Sequence, residues 1–337
     1  VLTDLSGELV IDRSVLQVKG GSAGVVGTPG LRIGKVDAVV DSLYRGATVS
    51  VAAEAQGPLA DLLGVVNGSP LSPLMGKALD RATASGPGDY KFKLGFPIAA
   101  VDRATVRGSI VLAANDLQIT PDTPRLARAR GVIHFSESGF SVAGAQAKAL
   151  GGDVRIDGGM SSPGSAHPVA GNKSPAPQLL RLQGTASAEG LRQARELGFA
   201  ARLAQYGNGT AAYSASLGFR SGIPELAISS NLVGMALNLP APFTKSADAP
   251  MPLQLETSAV KASLNAGSDG VVQAQDQLQL DVGKLASIVF VRDVSGPEAR
   301  VLRGAIAVGI AADESAPMPT DGVVANVSLA SLNLDAW

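Results

Sequence analysis

The run Gly20-Gly21-Ser22-Ala23-Gly24 is where residue types and spacing come nearest to a nucleophilic centre. A Gly-x-Ser-x-Gly elbow presents its hydroxyl on a sharp turn between a strand and a helix, so that a neighbouring base can activate it. Here Val25, Val26, Gly27, Thr28, Pro29 and Gly30 follow, which cannot form that helix, and a glycine-rich hairpin loop is the expectation. The two histidines, His134 in a strand-like run and His167 in a Gly/Ser/Pro-rich segment, lie too far apart for metal-ligand spacing. Asp313-Glu314 reads as a solvated turn, and Asn208-Gly209-Thr210 reads as a tight turn that only formally matches a glycosylation acceptor. The Gly-Lys pair between Gly68 and Lys77 lacks the phosphate-loop spacing, and without cysteine there is no thiolate site. No catalytic residue, cofactor or metal is assigned, and the chain is not expected to be an enzyme.

A repeat carries more information than these motifs. Gly7, Leu9, Ile11, Leu16, Val18 and Gly27 return 124 residues later as Gly131, Ile133, Phe135, Phe140, Val142 and Gly151. Tyr90-Lys91-Phe92-Lys93-Leu94-Gly95-Phe96 returns as Tyr213-Ser214-Ala215-Ser216-Leu217-Gly218-Phe219. What recurs is apolar, aromatic or glycine, a scaffold of strands and turns, and repetition of scaffold points to an extended surface. Composition agrees: of 337 residues 45% are hydrophobic, 17% charged and 4% aromatic, and 40 glycines and 20 prolines divide the chain into short pieces. A net charge of −1 creates no field to attract nucleic acid, which is not an expected partner.

The elements that repeat are strands. Ala47, Val49, Val51, Ala53 and Ala55 alternate with more polar neighbours, as do Tyr90, Phe92, Leu94 and Phe96 against Lys91 and Lys93. That period of two marks a sheet with one dry and one wet face. Further strands are predicted at 5–11, 15–19, 33–41, 104–113, 131–136, 139–148, 152–158, 179–187, 209–220, 225–232, 235–239, 252–265, 271–282, 286–292, 300–311 and 323–334, joined as antiparallel meanders. Two segments have helical spacing. One runs from Leu59 to about Ala84, split by Pro70 and Pro73, and the other covers about 188–205. Thr120-Pro121-Asp122-Thr123-Pro124 marks the seam between the copies, and 159–178 is expected to be a long loop. The division predicted is a first β-groove module at 1–125, a second at 126–255, and continuing strands with the start of a third at 256–337. No run of about 18 apolar residues occurs that would make a membrane span. The chain opens in a strand pattern at Val1 without an initiator Met, so a segment of a longer protein is expected.

Ser230-Asn231-Leu232-Val233-Gly234 through Leu239-Pro240-Ala241-Pro242-Phe243-Thr244-Lys245, followed by Met251-Pro252-Leu253, resembles the Ser-Asp-Leu-x-Gly…Leu-Pro-x-Pro-x-x-Lys stretch of YhdP-type proteins in the AsmA-like superfamily. Leu5-x-Gly7-x-Leu9-x-Ile11-Asp12, Gly57-Pro58-Leu59 and Ser69-Pro70-Leu71 resemble that family too, with Asn231 departing from its usual Asp. The resemblance implies an elongated, curled antiparallel sheet with a few short helices. It further implies the periplasmic part of an inner-membrane-anchored Gram-negative envelope protein, related to TamB and to bridge-like lipid transfer proteins. Phospholipid acyl chains would be the partner, with membranes reached through segments outside this chain. Alternation then nominates a lipid-binding floor of Val49, Val51, Ala53, Phe92, Leu94, Ile110, Leu112, Ile133, Phe135, Leu217, Phe219, Leu237 and Leu239. The alternative is a structural or scaffolding β-repeat of the envelope with no conduit.

Overall fold

A computed structural model describes residues 2–44, 46–68, 79, 81–100, 103–121, 123–137, 139–161, 179–220, 223–260, 274–296, 299–309, 317–329 and 331. The chain is mainly β and dominated by antiparallel pairing, as the alternation predicts. It divides into two compact units, Val1–Lys148 with Arg155–Gln178, and Ala149–Val154 with Leu179–Trp337.

In the first unit the strands β1 (Leu2–Asp12), β2 (Val15–Val25), β3 (Thr28–Val40) and β4 (Thr48–Pro58) form a meander. The chain then leaves the ladder through helix α1 (Leu59–Asn67) and the short strand β5 (Thr83–Ser85). It rejoins the ladder at β6 (Pro87–Pro97), which pairs with β4 and is followed by β7 (Thr105–Gln118), β8 (Leu126–Ser136) and β9 (Gly139–Ala149). β5 pairs with the far end of β7, so Thr83 and Ala84 are strand where helix was expected. Asn115, fully buried, fixes that corner: its Nδ2 donates to the carbonyls of Ser85 and Pro87, at 3.1 and 2.8 Å. The proposed second helix around Leu71–Leu79 falls almost wholly outside the described residues, as do His167, most of the 159–178 loop, Asp313 and Glu314.

The repeat is visible in backbone geometry. Ile11 pairs with Leu16 and Leu9 with Val18 across β1 and β2, and their counterparts Phe135–Phe140 and Ile133–Val142 pair identically across β8 and β9. Asp4 and Arg128 both take φ near +50°, and Gly7 and Gly131 take φ of +152° and +143°. A Cβ on Gly7 would lie 2.9 Å from the Cα of Gly21, and one on Gly131 2.9 Å from the Cα of Ala145, so both the conformation and the close approach demand glycine. Each copy also breaks its ladder at the same place, where the Gly20 or Gly144 amide donates to a carboxylate on the next strand, Asp37 or Asp157. These are β-bulges, which bend a strand and increase its twist. Gly20–Gly24 therefore lies inside β2; the expected hairpin loop is corrected to a bulged strand.

β10 (Gly152–Ser161) follows β9. In the second unit β11 (Leu180–Ser187), β12 (Gly207–Arg220), β13 (Ile223–Ser230), β15 (Leu253–Ala259), β16 (Gln275–Val282), β17 (Ala286–Asp293) and β18 (Arg300–Val308) pair antiparallel in that order. The short strand β14 (Met235–Leu237) pairs with the start of β12. Asn208 and Gly209 are part of this pairing, so the expected tight turn there is strand. The final pair is also a correction: β19 (Gly322–Val327) runs parallel to β18, reached through the long connection 309–321 that parallel pairing requires.

The 188–205 segment is likewise not one helix. Ser187 Oγ caps helix α2 (Ala188–Gln193) by accepting from the Gly190 amide at 2.9 Å. Ala194, at ψ 73°, and Gly198, at φ +54°, then break the helical path. A 3-10 turn, helix α3 (Phe199–Leu203) and a second 3-10 turn complete the excursion. Arg192 Nη1 donates to the carbonyls of Ala204 and Gly207 and pins it to β12.

Candidate functional site

Register decides which side chains share a face, because directly paired residues project to the same side of a sheet. In the first unit the pairings define rows that cross the strands. One runs Leu9, Val18, Ala38, Val51, Leu94, Val106. A parallel row runs Val36, Ala53, Phe92, Gly108, Phe135, Phe140, and a third Ile33, Ala55, Tyr90, Ile110, Ile133, Val142. Val49 pairs with Phe96, and Leu112 with Gly88 and Gly131. All nine nominated residues of this unit thus fall on one apolar face. The intervening rows are polar, for example Lys35, Glu54, Lys91, Ser109, His134, Ser141. His134 belongs to that polar face and is exposed.

The second unit repeats the apolar rows, while the intervening rows, polar at β15 and β16, turn apolar at β17–β19 with Val289, Ala305 and Val324. Leu182, Ala215, Ile228, Leu255, Leu280, Ile288, Ile306 and Ala325 form one unbroken apolar row. Leu217 stands in the next row between Leu180 and Leu226. Phe219 pairs through its backbone with Pro224, and its side chain lies outside what is described. Leu237 is in β14, opposite Gly207, and Leu239 lies beyond that strand, so neither joins these rows. No residue of β15–β18 was nominated from sequence, although Leu253, Leu255, Leu278, Leu280, Ile288 and Phe290 alternate as clearly as those that were.

The apolar face is only partly sheltered. Ala53 and Leu112 are buried, at 6% and 5% exposure, whereas Val49, Val51, Phe92, Leu94, Ile110, Ile133 and Phe135 are half-buried. Most fully buried apolar residues among those described are alanines, so side chains that pack tightly are small and the large ones stay partly open. α1 packs on β3, β4 and β5, and α2 packs on β11 and β12.

Two polar side chains on or near this face find backbone partners. Tyr90, 2% exposed, donates its hydroxyl to the Gly57 carbonyl at 2.9 Å, and burial, with Asp61 and Asp89 adding to it, pushes its pKa up to about 12. Lys245, the last residue of the Leu-Pro-x-Pro-x-x-Lys stretch, is buried, and its Nζ donates to the carbonyls of Met235 and Ser246 at 2.7 and 2.9 Å. Desolvation lowers its pKa. The motif is thus a clasp that ties the 238–251 segment to β14. Sequence reasoning missed one ion pair, Asp276 with Arg292, which interrupts the apolar rows of β16 and β17.

Ser22 Oγ shares a 2.8 Å hydrogen bond with Ser6 Oγ. Among the described residues no three His, Cys, Asp or Glu side chains group as metal ligands. A shallow hollow of about 560 Å³ lies on the polar face, lined by Arg32, Lys35, Glu54 and Gln56 with Gly30, Gly34 and Gly57, away from the apolar rows.

The fold and site define a class: a repeat-built, mainly antiparallel β protein with registered apolar rows on one face of its strands. The family model for YhdP protein matches residues 1–337, and the chain belongs to that family, a YhdP-type protein of the AsmA-like group. It is a cell-envelope family, and no helix among the described residues is long and apolar enough to cross a membrane. No curated protein and no solved structure matches the chain.

Proposed function

We propose that this chain is the periplasmic segment of a lipid transfer protein, shielding phospholipid acyl chains on its apolar face as they move between the inner and outer membranes. The observation that carries the reading is the registered apolar rows, whose larger side chains remain partly exposed among the described residues. A soluble domain normally buries such a face against another layer. Left open to water it is costly, and hydrocarbon is the complement that matches it: each CH₂ sequestered is worth about 0.8 kcal/mol. A floor of valine, leucine, isoleucine, phenylalanine and alanine offers similar contacts at successive rows, so a bound tail can shift without crossing a large barrier. Headgroups would remain wet at the margins of the sheet. Catalysis has no part in this reading.

Native mass spectrometry of protein purified without detergent tests it. Copurifying phospholipid supports the proposal. A protein that carries none and takes none from vesicles is instead a scaffolding repeat.

A further inference from the structure

Among the described residues, the apolar face of the second unit contains one strongly polar feature. Asp276 alternates with Leu278, Leu280 and Val282, and Arg292 with Phe290, Ile288 and Ala286, so both side chains belong to the apolar face. They pair directly across β16 and β17. Arg292 Nε donates to Asp276 Oδ1 at 2.9 Å and Nη2 to Oδ2 at 2.5 Å, a two-pronged pair. The Asp276 side chain is 5% exposed and that of Arg292 21%. Beside the pair the β17–β18 ladder shifts register, Val291 facing Arg303 and Arg292 facing Val301, so that the extra residue, Leu302, lies on β18.

A buried pair of this kind gains little stability over apolar residues of similar volume, so its presence on an otherwise apolar surface calls for another role. Its geometry leaves a usable group. Asp276 engages Nε and Nη2, so the N–H groups of Nη1 face away from the carboxylate. Its position is equally telling. The pair lies one residue inside the ends of the strands, and from it to the opposite margin at Val282 and Ala286 is six residues, about 20 Å. One leaflet's worth of acyl chain, half of a hydrocarbon core about 30 Å thick, fits within that span.

We propose that Arg292, oriented by Asp276, holds the phosphate of a lipid headgroup at the sheet margin while the tails lie over Leu278, Phe290, Leu280 and Ile288. This rests on the acyl-chain reading above. Asp276 cancels the guanidinium charge, so the phosphate meets directional N–H donors without a full opposing charge. Such a contact selects phosphate-bearing lipids and still releases them.

The test offers the chain vesicles containing equal phosphatidylglycerol and diacylglycerol and measures both in the recovered protein. The wild type should enrich phosphatidylglycerol about tenfold, the value of one or two charge-assisted hydrogen bonds. Asp276→Leu with Arg292→Met should bind as much lipid in total, at the ratio present in the vesicles. Arg292→Lys keeps charge and fold but loses the fork, and should fall between. Inorganic phosphate at millimolar concentration, lacking tails, should not compete. An unchanged ratio in the double variant, or displacement by inorganic phosphate alone, overturns the headgroup site and leaves the apolar face standing. Failure of the wild type to take up either lipid overturns both.

Discussion

The apolar faces around β4–β8 and β15–β18 are built by the same rule and end differently. Around β4–β8 the rows hold aliphatic and aromatic residues with glycines between them, and the buried polar groups, the Tyr90 hydroxyl and the Asn115 amide, are turned onto backbone carbonyls. In β15–β18 the rows are apolar apart from Thr257 until the last, where Asp276 and Arg292 replace hydrocarbon. The difference teaches that a period of two specifies which face a residue occupies but not what that face must be at each row. A charge on the apolar face is tolerated where its partner is directly across the ladder.

The sharpest break of this comparison is an unpaired charge in the first region. Leu94→Asp places a carboxylate between Val51 and Val106 with no cation opposite, at a desolvation cost of several kcal/mol. In cells that depend on the protein, Leu94→Asp should abolish complementation while the protein accumulates normally, and a photo-crosslinker at Leu94 should capture phospholipid. Lys93→Asp, on the wet face, should do neither. Equal effects at the two positions, or crosslinks to protein alone, would remove the distinction between the faces.

The second region allows the reverse experiment. Asp276→Ala strands the Arg292 guanidinium and should destabilise the chain by about 3–5 kcal/mol in chemical denaturation, whereas the double change to Leu and Met should stay within about 1 kcal/mol of wild type. A double variant as unstable as the single would mean that the pair is a structural necessity. Next in size is the bulge glycine shared by β1 and β8. Gly131→Ala forces a Cβ against Ala145 in a backbone conformation that alanine resists, and a loss of about 1–3 kcal/mol is expected, with a similar loss for Gly7→Ala.

Tyr90 gives a smaller, pH-confined effect. Its folded pKa is raised from 10.0 to about 12, so the folded state favours the protonated phenol. Its contribution is therefore complete below pH 10 and is lost as pH rises through about 12. Thermal unfolding followed from pH 9 to 12 should show this decline in the wild type and a flatter profile in Tyr90→Phe. The smallest expected effect is none: Ser22→Ala removes one hydrogen bond to Ser6 and should leave stability, lipid content and complementation unchanged. Labelling of Ser22 by a fluorophosphonate would contradict this.

Much of this was legible in the residues. Alternation located the long strands because a two-faced sheet has to repeat every second residue, and the 124-residue offset picked out hairpins that share one register. It did not reveal that Gly20–Gly24 stays within a strand, since a glycine run is equally suited to a loop and to a bulge. Nor did helical spacing across 188–205 show the breaks at Ala194 and Gly198, because apolar periodicity describes a face and not the backbone that carries it.

By itself the sequence determined that this is a β-rich repeat with one apolar and one polar face, for those properties follow from local alternation and from turns that only glycine allows. Tertiary structure decided what local pattern cannot encode. Pairing across the ladder set Asp276 opposite Arg292, sixteen residues away along the chain, and aligned Leu9 with Val106 along one row through four intervening strands. The parallel pairing of β19 was likewise beyond local reading, since strand direction depends on the path of the connection and not on the strand's own residues.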